Sequence, residues 1–230
     1  MKLDLNLESG VAPDDIKALT DGLTGDLSSL FSHPVQPFRR RVFCIGWPKT
    51  GTTSFTEALR ILGLFSCPWA PWVIGYKHVR SEISEFRIDF SGVADYTAVS
   101  NLPICALYRE LDIAFPGSLF ILTTRPLETW TISETAEWTT SEIADRDSDI
   151  KQYVNMDAMS RWAYGTDAID KEVHQERYLQ HQEQVLGYFS GRPDFLAIDI
   201  SQGNPWQKLC EFLQLPVPQV AFPHLNRRMT

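Results

Sequence analysis

The sequence predicts an α/β fold, a central parallel sheet with helices on both faces, and three observations carry that expectation. Apolar runs of strand length recur at 41–46 (RVFCIG), 118–124 (SLFILTT) and 195–200 (FLAIDI). Each is followed by a stretch of helical periodicity. The first is joined to its helix by a glycine-containing loop. Parallel strands need long crossovers, usually helical, and strands covered on both faces read as unbroken apolar runs.

The elements follow in order. Ile16, Leu19, Leu23, Leu27 and Leu30 recur at helical spacing, interrupted by Gly22 and Gly25, and 33–37 (HPVQP) reads as a linker. Residues 1–40 are therefore expected to form an N-terminal helical extension and 41–230 the main domain. Over 51–62, Phe55, Leu59 and Leu62 form an apolar stripe, with Gly63 placed to stop the helix. The segment 103–115 (PICALYRELDIAF) carries helical periodicity behind a first-turn proline. Another helix is expected from Pro126, with Trp130 and Ile132 on its path, a long one over 168–189, and a last one over 205–214.

Composition narrows the function. The chain has 230 residues, 43% of them hydrophobic, enough for a core without metals or disulfides. A net charge of −8 excludes a general nucleic-acid binder while leaving room for one anionic ligand held by local positive charge. Cys44, Cys67, Cys105 and Cys210 are widely spaced and form no C-x-x-C pair, so neither a zinc site nor a redox motif is indicated. The N-terminus MKLDLNLESG lacks a cationic start before an apolar run, and no stretch of 18 apolar residues occurs. The expectation is a cytoplasmic protein with no membrane partner.

The chemistry is concentrated in Gly46-Trp47-Pro48-Lys49-Thr50-Gly51-Thr52-Thr53-Ser54, between the first strand and its helix. Backbone N–H groups at such a junction make an anion site. The glycines have the G-x-x-x-x-G spacing of a nucleotide-binding loop, but Thr52 and Thr53 stand where a nucleotide kinase needs Lys and then Ser or Thr. The lysine lies inside the loop, at Lys49. A second block, GSLFILTTRPLETWTIS, sets Arg125 at a strand end and Ser133 eight residues later. A guanidinium presents a planar fork to a phosphate, and a hydroxyl adds one donor.

PKTGTTS resembles the 5′-phosphosulfate loop of sulfotransferases that use 3′-phosphoadenosine 5′-phosphosulfate (PAPS), commonly PKSGTT or PKTGTT. The Arg125–Ser133 pair resembles their 3′-phosphate motif. ALYRELDIAFPGSLFILTTRP and the later RYLQHQEQVLGYF, FLAIDI and FPHLNRR are similar to the compact bacterial-type members, so the resemblance spans 41–230. It implies a three-layer, P-loop-like fold and PAPS as co-substrate. The donor would be bound by Pro48, Lys49, Thr50, Gly51, Thr52, Thr53, Ser54, Arg125 and Ser133, with Arg227 and Arg228 as a late basic contact. No metal is expected. The acceptor would be a small molecule offering a hydroxyl or amine. A small-molecule kinase and a catalytically silent nucleotide-binding module remain as alternatives.

The general base is less clear in the pattern. Related compact enzymes often carry an acidic residue where this chain has Asn101, and no histidine lies near sixty residues beyond Lys49, where the animal enzymes place theirs. His78, Asp89 and Asp95 are the candidates; His78 titrates nearest neutrality, and Asp95 sits in VADYTAV, an expected strand. Phe65, Trp69, Trp72, Tyr76, Phe86, Phe90 and Tyr96 suggest an apolar acceptor pocket shared with core positions. Six acidic residues over 134–149 suggest a solvated loop or a lid whose field favours neutral or cationic acceptors.

Overall fold

Among the described residues, seven strands and five α-helices follow one another. The strands are β1 (Val42–Cys44), β2 (Ser66–Cys67), β3 (Ile74–Val79), β4 (Glu82–Ile88), β5 (Ala98–Ser100), β6 (Leu119–Thr123) and β7 (Phe195–Ile198). The helices are α1 (Thr52–Ile61), α2 (Tyr108–Ala114), α3 (Leu127–Thr139), α4 (Lys171–Tyr188) and α5 (Pro205–Leu213). The computed structural model describes residues 40–70, 73–79, 82–139, 162–165 and 170–225, with side chains described at all of these except 74–79, 82–87 and 137–139. The expected extension lies outside the described residues up to residue 39.

Five strands form one parallel sheet in the order β2-β5-β1-β6-β7. The chain runs from central β1 to the β2–β5 side and then crosses to β6 and β7. Connections therefore diverge around β1, and ligands of open α/β sheets bind at such a switch point, beyond the carboxyl ends of the strands.

Alternation along the strands splits the core into two layers. Val42 and Cys44 of β1, with Leu119 and Ile121 of β6, pack against Phe55, Ala58 and Leu59 of α1 and Trp206, Leu209 and Leu213 of α5. Phe43, Phe120 and Leu122 face the other way, toward Leu111 of α2, Trp130 of α3 and Tyr178 and Val185 of α4. The result is the expected three-layer α/β architecture.

Local signals explain the boundaries. Gly63 (φ 82°) follows α1, and its N–H reaches the Arg60 carbonyl at 2.9 Å. The Asp170 carboxylate caps α4 by accepting from the amides of Glu172 and Val173. Asn204 caps α5, whose first residue is Pro205. Two elements differ from expectation. The helix foreseen over 103–115 starts as a 3₁₀ turn (Ile104–Leu107) before α2, and the Leu102–Pro103 peptide is cis. The strand foreseen around Asp95 is a 3₁₀ turn over Ser91–Asp95, and β5 begins only at Ala98. The β3–β4 antiparallel hairpin, a separate two-stranded sheet, carried no turn signal. Its strands are separated by Arg80-Ser81, without the Asn or Gly that mark tight hairpins.

All four cysteines are free and buried, and burial pushes the Cys44 thiol up to about 11. Among the described residues no helix is long and apolar enough to cross a membrane.

Helix α4 is pinned to the sheet by a polar contact. His181 is buried, and its Nε2–H donates to the carbonyl of Ile45, just past β1, at 2.8 Å. Desolvation, only partly offset by that bond, lowers its pKa from 6.5 to about 4. A depressed histidine pKa means that the unfolded chain takes up the proton first as pH falls. The stability from neutral His181 is thus complete above about pH 6.5 and is lost progressively toward pH 4. Between pH 7 and pH 5 the native chain should lose about 2 kcal/mol more unfolding free energy than His181→Gln. Urea titrations of both at the two pH values check this; parallel losses would contradict it.

Candidate functional site

The loop after β1 is held in an unusual backbone shape. Lys49 (φ 68°) and Gly51 (φ 88°) are both left-handed, with Thr50 between them. Left-handed residues at such a turn gather backbone N–H groups into an anion-binding concavity. Gly51 is also the N-cap of α1 and provides no side-chain cap. The first N–H groups of α1 therefore have neither an intrahelical acceptor nor a capping side chain. A methyl at Gly51 would meet the Ile200 side chain at 2.5 Å, so the position demands glycine on two grounds.

Internal bonds hold this shape. The Thr50 hydroxyl donates to the Trp47 carbonyl at 2.7 Å and shares a 2.7 Å bond with the Thr123 hydroxyl at the end of β6. The Thr50 amide also turns to the Trp47 carbonyl, at 3.3 Å. Thr50, expected to face the ligand, instead spends its hydroxyl and its amide inside the loop.

The β6–α3 segment grips the same loop. The Trp130 indole N–H donates to the Pro48 carbonyl at 2.8 Å, and Arg125 Nη1 donates to the Lys49 carbonyl at 3.2 Å. Arg125 Nε donates to the Thr129 hydroxyl at 3.2 Å. Nη2 of Arg125 has no partner among the described residues. Ser133 lies one turn beyond Thr129 on the same face of α3. Arg125 and Ser133 are both half-buried. Two carbonyls drawn toward α3 leave the other side of the loop to its amides, with a half-committed guanidinium at the rim. That arrangement suits a ligand carrying two anionic groups.

A model of the sulfotransferase domain matches residues 41–230. The chain belongs to the sulfotransferase family. It is also similar to "Ava biosynthesis cluster protein M" of Aspergillus versicolor, 26% identical over 211 residues, which cover 80% of each chain. Membership makes the protein a transferase of sulfuryl groups, on the α/β frame described above.

Not every expected site residue of this sulfotransferase gathers at the loop. Thr52 is buried and Thr53 exposed in the first turn of α1. Ser54 uses its hydroxyl on the backbone of Leu225, accepting from the amide at 2.9 Å and donating to the carbonyl at 3.4 Å. That bond fastens the C-terminal segment beside α1; Arg227 and Arg228 lie outside the described residues. His78 belongs to β3, and its side chain is outside them too. Asp95 is exposed, before the start of β5, whereas the loop lies beyond the end of β1 in a parallel sheet. Arg41, just before β1, confirms the placement by donating to the carbonyls of Ala94 and Tyr96 at 2.9 and 2.7 Å. The structure therefore does not bring Asp95 to the loop. Asp89 is likewise exposed, with Oδ1 accepting from the Ser91 amide.

Phe65 and Tyr96 stack on each other just before β2 and β5, at the strand ends away from the loop, and Phe90 packs on Phe115, so these three do not line the loop. Trp69 follows β2 on the loop side. Glu134, expected in a solvated acidic loop, is buried on α3 against His174 Nδ1 at 3.1 Å; 140–149 lie outside the described residues.

Several residues have contacts that the sequence reading did not assign. Asn101 follows β5 directly, beside β1, in a left-handed conformation (φ 70°), and its side-chain oxygen accepts from the Leu102 amide. Trp130, Thr123 and Tyr178 were missed as well. A signal existed for Tyr178: His174, Tyr178, His181 and Val185 form the buried stripe of α4, and three of the four are polar. Polar groups on a core-facing stripe need specific partners.

The closeness of β1 to β6 can be tested at Gly46. A Cβ there would fall onto the Thr123 hydroxyl and lie 2.8 Å from the Thr50 hydroxyl. Gly46→Ala should destabilise the protein by about 1–3 kcal/mol through overpacking. Chemical denaturation reads the loss, and unchanged stability would show that the loop relaxes freely.

Proposed function

We propose that this sulfotransferase takes its sulfuryl group from PAPS and passes it to a hydroxyl or amine of a small molecule, in the cytoplasm. The observation that carries the reading is the Arg125–Lys49 contact, which joins the half of the site suited to a 3′-phosphate to the half suited to a 5′-phosphosulfate. Further support comes from the uncapped start of α1 and from Thr52-Thr53, which stand in place of the lysine–hydroxyl pair of a kinase. The relative named for a biosynthesis cluster favours an acceptor made in specialised metabolism. The net charge of −8 favours a neutral or cationic acceptor, and Trp69 on the loop side an aromatic or apolar one.

In this reading the acceptor oxygen or nitrogen attacks sulfur in line, the bond from sulfur to the bridging oxygen breaks, and adenosine 3′,5′-bisphosphate departs. Amides of residues 51–54 hold the 5′-phosphate, while Arg125 and Ser133 hold the 3′-phosphate, joined by Arg227 and Arg228. Lys49 neutralises the charge that grows on the bridging oxygen. The acceptor proton passes to a base, for which His78 and Asp89 are the candidates, since Asp95 lies at the other end of the strands from the loop. Residues 1–40 serve as an extension to the catalytic domain 41–230.

Adenosine 3′,5′-bisphosphate should raise the melting temperature more than AMP does, because Arg125 and Ser133 contact the additional phosphate. At 100 times its dissociation constant it adds about 2.7 kcal/mol. Equal shifts from the two nucleotides would remove the 3′-phosphate assignment.

Lys49→Ala should lower kcat by about 10²-fold or more, the usual loss when a preorganised electrostatic donor is removed. Binding of adenosine 3′,5′-bisphosphate should change far less. Near-normal turnover would make Lys49 a mere loop residue.

A further inference from the structure

Tyr178 is fully buried on α4, and besides Gln182 of its own helix its hydroxyl engages one residue of another element through both of that residue's backbone groups. It donates to the Arg125 carbonyl at 2.6 Å and accepts from the Arg125 amide at 3.1 Å. Arg125 lies past the end of β6, whose pairing with β7 stops at Thr123↔Ile198. The tyrosine thus replaces the lost ladder for both backbone groups of the residue that must aim a guanidinium. Fixing the peptide on each side fixes the direction in which the side chain leaves.

The ring is equally committed. It stacks on Trp130 with centroids 4.3 Å apart and planes 2° from parallel. Trp130 holds the Pro48 carbonyl, and Arg125 holds that of Lys49. The contacts form a closed circuit running from Pro48 and Lys49 through Arg125, Tyr178 and Trp130 back to Pro48. Phenylalanine would fill the same apolar space at less desolvation cost, so packing alone does not call for the hydroxyl. Burial raises its pKa to about 12, so it remains a neutral donor and acceptor.

We propose that Tyr178 is a positioning residue for donor recognition, setting Arg125 in register with the Lys49 loop so that the two phosphate-bearing ends of the donor are recognised as a pair. The inference rests on the PAPS reading above. It extends that reading to a residue, on a different helix, that touches neither phosphate.

The test compares affinities of the full chain for adenosine 3′,5′-bisphosphate and AMP by calorimetry, with circular dichroism and melting curves as controls on folding. The native protein should favour the bisphosphate. Tyr178→Phe, which keeps the stacked ring, should reduce that preference about tenfold, the scale of a lost hydrogen bond beside a charged group, while AMP affinity falls less than about threefold. A folded variant that keeps the preference, or loses both affinities equally, would make Tyr178 a packing residue only. Should Tyr178→Phe fail to fold, Trp130→Phe opens the same circuit at Pro48 and should narrow the preference likewise; an unchanged preference there overturns the proposal. A native protein that does not distinguish the two nucleotides would remove the PAPS reading itself, and this inference with it.

Discussion

The parallel pairing of β1 with β6 is the constraint on which the rest of the site depends. In register, Cys44 lies opposite Ile121, and the chain beyond β1 runs on beside Thr123. Gly46 has no room for a methyl there, and the Thr50 and Thr123 hydroxyls close the remaining gap at 2.7 Å. Because the two segments lie so close, side chains that follow β6 reach carbonyls that follow β1. Trp130 and Arg125 can hold Pro48 and Lys49 only for this reason. An anion site from backbone amides needs its carbonyls engaged elsewhere, and these contacts engage two of them.

The acidic balance of the chain sits comfortably with an anion site. Net charge acts over a Debye length, whereas the backbone dipoles of a loop act within a few ångströms. Several carboxylates are also engaged inside the fold. Glu134, one residue after Ser133, is buried against His174 on α4. Asp112 and Asp194 are committed to Arg192, whose guanidinium holds both carboxyl groups below their usual range, so they keep their charge inside a local ion cluster.

Much of the fold was legible because its elements are marked by period and punctuation. The runs around β1, β6 and β7, the stripe of α1 ending at Gly63, and Pro205 at the start of α5 each carry a local signal that the tertiary structure respects. The candidate site was legible where its signal is short in range, as in the glycine loop that leads into α1. It was illegible where a residue acts at long range. Tyr178 lies 53 positions from Arg125, and Trp130 lies 82 from Pro48. Thr50 misled for the opposite reason: its place in the motif suggests a ligand contact, but a hydroxyl turned inward by Thr123 is invisible without the neighbouring strand. Asp95 misled because VADYTAV reads as one extended run, whereas a 3₁₀ turn ends at Asp95 and the strand begins three residues later.

The four buried thiols have a practical consequence. Cys44 lies in the central strand, Cys67 in β2 at the sheet edge, Cys105 in the turn before α2 and Cys210 in α5. They are distributed over both layers of the core, with Cys67 and Cys105 in one cluster and Cys44 and Cys210 in the other. Burial raises the pKa of every one of them, so little nucleophilic thiolate forms while the layers stay closed. Alkylating reagents would consequently act as a clock on the opening of each layer. Peptide mapping of the labelled cysteines would then show whether the α1–α5 face separates from the sheet before the face covered by α2, α3 and α4, resolving by covalent chemistry a sequence of events that a melting curve merges into one.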